Sequence, residues 1–190
     1  MIALVLLVAA GTCDAKGIAS SLSTQPQVHC RYTQTKTSKL FKKKMQSHGE
    51  LWVTSAGSLR FDTLAPSGSA FVVKDGVAKM KNGGDVDTLP LDKLPKVNAF
   101  LGAFSGLFVG KLKELEKEFS LACSDATTLV LKPKGDAFQF LDEIRLGVAP
   151  RNGSAAPKSL ELAEKNGDRS VIVLDACDAV VPPGTFDIDK

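Results

Sequence analysis

The chain has 190 residues and a mass of 20.1 kDa, with 44% apolar and 24% charged residues, the composition of one globular domain. Lys and Arg number 24 against 21 Asp and Glu, and a net charge of +3 is too mild a bias to argue for nucleic-acid binding. Two histidines and four scattered cysteines leave little material for a metal site or a Cys/His nucleophile, which weighs against most hydrolases and metalloenzymes.

Ile2 to Gly11 is an apolar run far short of the roughly 20 residues that span a bilayer, and it ends in small residues. It reads as an export signal covering residues 1–15, with Cys13-Asp14-Ala15 as the cleavage site and Val8-Ala9-Ala10 as a second candidate. No Lys or Arg precedes the run. Thr12 fits poorly before an acylated cysteine at Cys13. The mature chain, residues 16–190, is expected to be soluble and exported. It would keep Cys30, Cys123 and Cys177, which allows at most one disulfide and leaves one thiol, or three buried cysteines acting as small hydrophobes. No CxxC is present, so neither a zinc nor a thioredoxin-type site is supported.

Ile18 to Leu22 suits a short helix that stops before Pro26. From Val28 the period changes to two: Val28, Cys30 and Tyr32 alternate with His29, Arg31 and Thr33. Leu40 to Lys44 reads as a hairpin connection. Ser47 to Thr54 then places Gly49, Leu51 and Val53 on one face and His48, Glu50 and Trp52 on the other. Turns at Ser55-Ala56-Gly57, Pro66 to Ser69 and Lys74-Asp75-Gly76 separate runs at Leu59-Phe61, Ala70-Lys74 and Val77-Lys81. Short strands at this spacing predict an antiparallel meander.

Asn82 to Pro95 is polar, broken by Gly83-Gly84 and Pro90, and reads as a loop. Val97, Phe100, Leu101, Phe104, Leu107, Phe108, Leu112 and Leu115 then recur at spacings of three and four, one apolar helical face. Gly102, Gly106 and Gly110 interrupt it at about 1 kcal/mol each relative to Ala, and predict a loosely held helix broken near Gly110. Strand-like runs return at Phe119-Ala122, Thr128-Leu131, Phe138-Leu146, Ser159-Ala163 and Ser170-Leu174.

Tyr32-Thr33-Gln34-Thr35, Gly49-Glu50-Leu51-Trp52-Val53, Leu59-Arg60-Phe61, Pro66 and Phe71-Val72-Val73-Lys74-Asp75-Gly76 together resemble the amino-terminal half of the LolA family. Leu129-Val130-Leu131-Lys132-Pro133, Asn166-Gly167-Asp168-Arg169 and Pro182-Pro183-Gly184 extend the resemblance over nearly the whole mature chain. Members are periplasmic carriers of outer-membrane lipoproteins in Gram-negative bacteria. The resemblance implies a mainly β fold with a few helices: a single curved antiparallel sheet forming an unclosed half-barrel, its concave face covered by helices. It further implies an acylated lipoprotein or lipid cargo, an inner-membrane donor complex, an outer-membrane acceptor, a monomeric state, a periplasmic location, and no cofactor or catalysis. A non-catalytic sensor of lipids or lipoproteins is the alternative on the same fold.

Strand parity and the helical face put Leu51, Val53, Leu59, Phe61, Phe71, Val73, Phe100, Phe104, Leu107, Phe108, Phe138, Phe140 and Ile144 on the inward side, which by spacing alone suits ordinary core packing equally well. The resemblance implies that they line an apolar hollow under a movable helical lid. The resemblance also calls for an arginine shortly after Trp52-Val53, tied to keeping the lid closed. Thr54-Ser55-Ala56-Gly57 stands there instead, and Arg60 points away from Leu59 and Phe61. The one charge cluster, with Lys36, Lys39, Lys42, Lys43 and Lys44, is either a solvated hairpin tip or a site docking on an anionic membrane or an acidic partner. Nucleic acid is not expected, since no aromatics interleave with these lysines. His29 and His48, with Asp62 or Asp75, suit surface strands better than a triad, and Asp85-Val86-Asp87 lacks the further ligands of a metal loop.

Overall fold

A computed structural model describes residues 13–22, 24–40, 44–151 and 153–188. Alternating apolar residues make the strands and also decide how they stack. The strands are β1 (Gln27–Thr37), β2 (Lys44–Thr54), β3 (Leu59–Ala65), β4 (Ser69–Lys74), β5 (Val77–Asn82), β6 (Asp85–Pro90), β7 (Phe119–Asp125), β8 (Thr128–Pro133), β9 (Leu141–Arg151), β10 (Ser154–Glu164) and β11 (Arg169–Asp178). They form one antiparallel sheet in the order β6-β5-β4-β3-β2-β1-β11-β10-β9-β8-β7. The first and last strands pair with each other, so two meanders meet at the β1–β11 ladder. β6 and β7 remain as edges, and the sheet is not closed into a barrel.

Register aligns the apolar residues into rows across the strands. Ala78, Val73, Leu59, Val53 and Val28 are successive partners, as are Phe71, Phe61, Leu51 and Cys30. In the second meander Ile172, Leu160, Leu146 and Leu129 form one row, and Leu162, Ile144, Leu131 and Leu121 another. These rows share the concave face, and cross-strand apolar pairs of this kind stabilise a sheet by roughly 0.2–1 kcal/mol each.

Gly49 marks an irregularity in the sheet. The β2–β3 register slips between His48 and Gly49, and a methyl group on Gly49 would overlap the Asp62 carbonyl. The absent side chain lets β3 curl over β2, as glycines beside bulges do. The Tyr32 hydroxyl spans the same corner, donating to the Asp62 carbonyl oxygen at 3.1 Å and meeting Thr63 Oγ1 at 3.1 Å.

Helices α1 (Ala15–Ser21), α2 (Pro95–Val109) and α3 (Leu112–Leu115) complete the chain. α2 and α3 lie between the two edge strands in sequence, so the chain crosses the open mouth of the sheet to pass from one edge to the other. Pro95 opens α2 with its fixed φ, and Gly110 ends it in the left-handed region at φ 77°. The expected break near Gly110 is therefore present.

Three expectations are corrected. Asp85–Pro90, read as loop, is strand β6; it is an edge with only Val86 half-buried, so its alternation is faint. β9 begins at Leu141 rather than Phe138, because Asp136–Phe138 forms a 3₁₀ turn. All four cysteines are paired, Cys13 with Cys123 and Cys30 with Cys177, where at most one bond and a spare thiol were expected. Most of the expected leader lies outside the described residues, but Cys13 is bonded and Ala15 already opens α1.

Candidate functional site

The concave face and the helices laid on it form the candidate site. α2 packs on β1, β2, β10 and the 136–138 turn, while α1 packs on β7, β8 and β10. Along α2 burial is graded. Pro95 to Asn98 are exposed, Phe100 and Leu101 are half-buried, and Ala103 to Val109 are buried on every side. The carboxyl-terminal half is therefore a plug rather than a one-faced lid. Its interior partners are apolar: Leu51, Val53, Leu129, Leu131, Leu146 and Leu160 are fully buried beneath the helices.

Aromatic rings run through this layer in sequence. Phe119 meets Phe138 at 4.7 Å, Phe138 meets Phe100 at 6.4 Å, Phe100 meets Phe104 at 6.1 Å, and Phe104 meets Phe108 edge-on at 4.9 Å. Tilted and edge-on pairs of this kind add roughly 0.5–1.5 kcal/mol beyond the area they bury.

Of the residues singled out from the sequence, Leu51, Val53, Leu59, Val73, Phe104, Leu107, Phe108, Phe138 and Ile144 are buried together in one cluster. Phe61, Phe71 and Phe100 are half-buried at its margin. Phe140 is the correction: at 47% exposed it sits on the rim, edge-on to Phe100 at 5.6 Å, because the 3₁₀ turn shifts it out of strand parity. Sequence reasoning missed Phe119, Leu129, Leu131, Leu146, Leu160 and Ile172, all buried in the same cluster. Period-two alternation along β7 to β11 carried that signal.

The expected hollow is filled. A side chain facing a water-sized void keeps accessible surface, and these keep almost none. A small, partly open pocket, lined by Val28, Cys30, Phe108, Leu174 and Cys177 with Gln25 and Arg151, holds about 20 Å³, room for a water molecule and not for an acyl chain. In this closed arrangement the side chains of α2 occupy the space that an apolar guest would need.

The turn that follows Trp52-Val53 is tied to the end of the plug. Lys111, just beyond α2, donates from Nζ to the Ser55 carbonyl oxygen at 2.8 Å in the β2–β3 turn. The Gln25 amide donates to the Val109 carbonyl oxygen at 3.0 Å. Both contacts secure the carboxyl-terminal end of α2. At Tyr32, burial pushes the phenol above its ordinary value, so it stays a neutral hydrogen-bonding group.

The convex face carries a separate polar layer. His29 stacks flat on Trp52 at 4.7 Å, and the Arg60 guanidinium lies 5.7 Å from the Trp52 ring centre. Arg60 also grips Asp62, with Nε at 2.8 Å from Oδ1, and donates to the Thr185 carbonyl oxygen at 2.8 Å. His29 faces Asp178 at 3.3 Å and Glu50 at 3.9 Å, not Asp62 or Asp75. The residues after β11 follow this layer: Asp178 Oδ1 accepts from the Val180 amide, and Asp187 pairs with Lys74 at 2.7 Å. They form a strap over the outside of β1 to β4. Among the described residues no group of three or more His, Cys, Asp or Glu is placed to hold a metal ion, and no helix is long and apolar enough to cross a membrane.

The family model for the outer membrane lipoprotein carrier protein LolA matches residues 23–189. The chain belongs to the LolA family. Two solved structures agree with the fold. A LolA superfamily protein of Nitrosomonas europaea superposes with a TM-score of 0.53 at 11% identity, covering 92% of this chain and 97% of that one. A DUF1329 family protein of Desulfovibrio piger gives a TM-score of 0.54 at 10% identity, covering 93% and 98%. Among curated proteins none matches the chain. This LolA-family chain is a divergent member, and Lys111, just beyond the plug, bonds to its β2–β3 turn.

Proposed function

We propose that this protein is a periplasmic carrier that shelters the acyl chains of a lipoprotein or another envelope lipid on its concave face and hands them on towards the outer membrane. The observation that carries this reading is the plug itself. A phenylalanine- and leucine-faced helix covers the open mouth of an apolar half-barrel, and the buried segment Ala103 to Val109 carries no charged side chain. Displacing such a helix exposes a surface that hydrocarbon can cover in its place.

Magnitudes favour exchange over permanent capture. Burying a methylene is worth about 0.8 kcal/mol, so an acyl chain of about 16 carbons offers roughly 12 kcal/mol before ordering costs. Against this, re-exposing Phe104, Leu107 and Phe108 costs roughly 1.5–3 kcal/mol each, or about 5–9 kcal/mol in all. The net affinity is then modest, which suits a molecule that must release its cargo.

The tethers fit the same picture. α1 is bonded to edge strand β7 through Cys13–Cys123, while α2 is held at its ends, with Lys111 and the Val109 carbonyl as its polar anchors at one of them. α2 is the moving part and α1 the fixed cover. The Cys13 bond also favours removal of the leader after Val8-Ala9-Ala10, which keeps Cys13, over removal after Ala15. The deciding experiment is purification from a native periplasm followed by mass spectrometry of an organic extract, alongside titration with a fluorescent fatty-acyl probe. Co-purifying acylated molecules and saturable probe uptake support a carrier; absence of both refutes it.

A further inference from the structure

One end of the half-barrel carries a rim that the acyl-binding reading leaves unused. Leu40, at the β1–β2 turn, is 81% exposed, more than any other large apolar side chain among the described residues. Met45 and Phe140 are each 47% exposed. These residues belong to one continuous surface. The Lys39 amide donates to Asp168 Oδ1 at 2.9 Å, joining the β1–β2 turn to the β10–β11 turn, and the Lys39 side chain lies against Gly167. The Lys165 amide in that second turn donates to the Phe140 carbonyl oxygen at 3.0 Å, and the Phe140 ring meets Phe100 of α2.

Charge follows the same line. Lys39, Lys44 and Lys165 are exposed, and none has an ion-pair partner among the described residues. Arg169 is paired with Glu161. Acids stand among these lysines and keep their charge: Asp168 accepts from the Lys39 amide and Glu164 from Asn166 Nδ2 at 3.2 Å, both neutral donors, and Asp142 is exposed near Phe140. Lys42 and Lys43 lie outside the described residues, and nothing here rests on them.

We propose that this rim docks the protein on the surface of an anionic phospholipid bilayer. Leu40, Met45 and Phe140 would enter the interface while Lys39, Lys44 and Lys165 meet headgroup phosphates. Exposed apolar side chains among unpaired lysines are the pairing an anionic interface rewards: the tips bury hydrocarbon, and the long lysine stems keep their ammonium groups at headgroup level. An acidic protein patch would satisfy the lysines but leave Leu40 in water. The inference rests on the carrier reading and adds to it a direction of approach. Docking sets the bilayer beside Phe100 and the exposed beginning of α2, with Val97 at 39%, the end where the plug is least buried.

Flotation with vesicles of three parts phosphatidylethanolamine to one part phosphatidylglycerol tests this, with pure phosphatidylcholine vesicles as the neutral comparison. The protein is expected to float with the anionic vesicles at low salt, to be released at high salt, and to ignore the neutral ones. Each lysine is worth about 1 kcal/mol, or roughly fivefold, so K39Q/K44Q/K165Q should weaken partitioning about 100-fold. Leu40→Ser should weaken it roughly tenfold or more. Trp52 fluorescence checks that both variants remain folded. Failure of the wild type to float at low salt overturns the proposal, as does equal flotation with neutral vesicles or by the triple variant. So does capture by an acidic protein while vesicles are ignored. Uptake of a soluble fluorescent fatty acid by the same proteins separates the two claims: it should be unchanged in the rim variants, and its absence in the wild type counts against the carrier reading alone.

Discussion

Phe108→Ala discriminates between a plug that moves and a helix that is simply core. Phe108 is 2% exposed, stands edge-on to Phe104 at 4.9 Å, and lines the small space beside Val28, Cys30 and Leu174. Truncating a buried phenylalanine costs about 3–5 kcal/mol, because the void it leaves collapses only in part. Should α2 leave when an acyl chain enters, that loss falls on the closed state alone, and the cost of opening drops by the same amount. Apparent affinity for a fluorescent acyl probe then rises, up to about 100-fold for 3 kcal/mol, until the open form predominates and the gain saturates. Leu146→Ala is the comparator. Leu146 is fully buried in β9, so its truncation also costs about 2–5 kcal/mol, but the strand is present in both states and affinity should not rise. Urea unfolding and probe titration, run on both variants, give the two numbers. If Phe108→Ala loses stability while its affinity is unchanged or weaker, or moves in step with Leu146→Ala, the exchange model is wrong.

Other expectations follow from the sheet and its fastenings. Gly49→Ala should destabilise by about 1–3 kcal/mol, read from the urea midpoint, because its methyl group meets the Asp62 carbonyl beside the Tyr32 hydroxyl. Alkylation under denaturing, non-reducing conditions should find no free thiol, and paired loss of Cys30 and Cys177 to Ala should cost about 2–5 kcal/mol in thermal or urea unfolding. Asp178 is held below the usual carboxylate range, chiefly by the Val180 amide, and Asp187 is held below it by hydrogen bonding and charge from Lys74. Lowered carboxyl values stabilise the fold above the unfolded value, near pH 4, and that stability is lost as pH falls through the folded values. Protection of the strap amides, corrected for the intrinsic exchange rate at each pH, should therefore fall below about pH 4, and Asp187→Asn should remove part of that dependence.

The first meander was legible because its inner rows are apolar and its outer rows polar, from Val28-Cys30-Tyr32 through Phe71-Val73. β6 was not, since an edge strand with Asp85, Asp87 and Thr88 in the open has no buried face to leave a pattern. The helical plug was visible as a face, but its spacing does not say that Ser105 and Gly106 are buried too; that depends on α3 folding back so that Leu115 lies beside Gly106. Phe140 shares the parity of Phe138, and only a turn that alternation cannot reveal moves it to the rim. The Cys13–Cys123 bond was hidden by the assumption that Cys13 leaves with the leader. The Lys111 contact with Ser55 joins residues 56 apart in sequence, and no local pattern announces it.

Because β1 lies between β2 and β11, its second edge has no partner until the last strand has been made, and Cys30 waits 147 residues for Cys177. A chain emerging amino terminus first holds an open, apolar-faced ribbon for most of its synthesis or translocation, the kind of edge that recruits neighbouring chains. A chain truncated anywhere before β11 is therefore expected to expose a sticky sheet edge rather than to form a smaller working molecule.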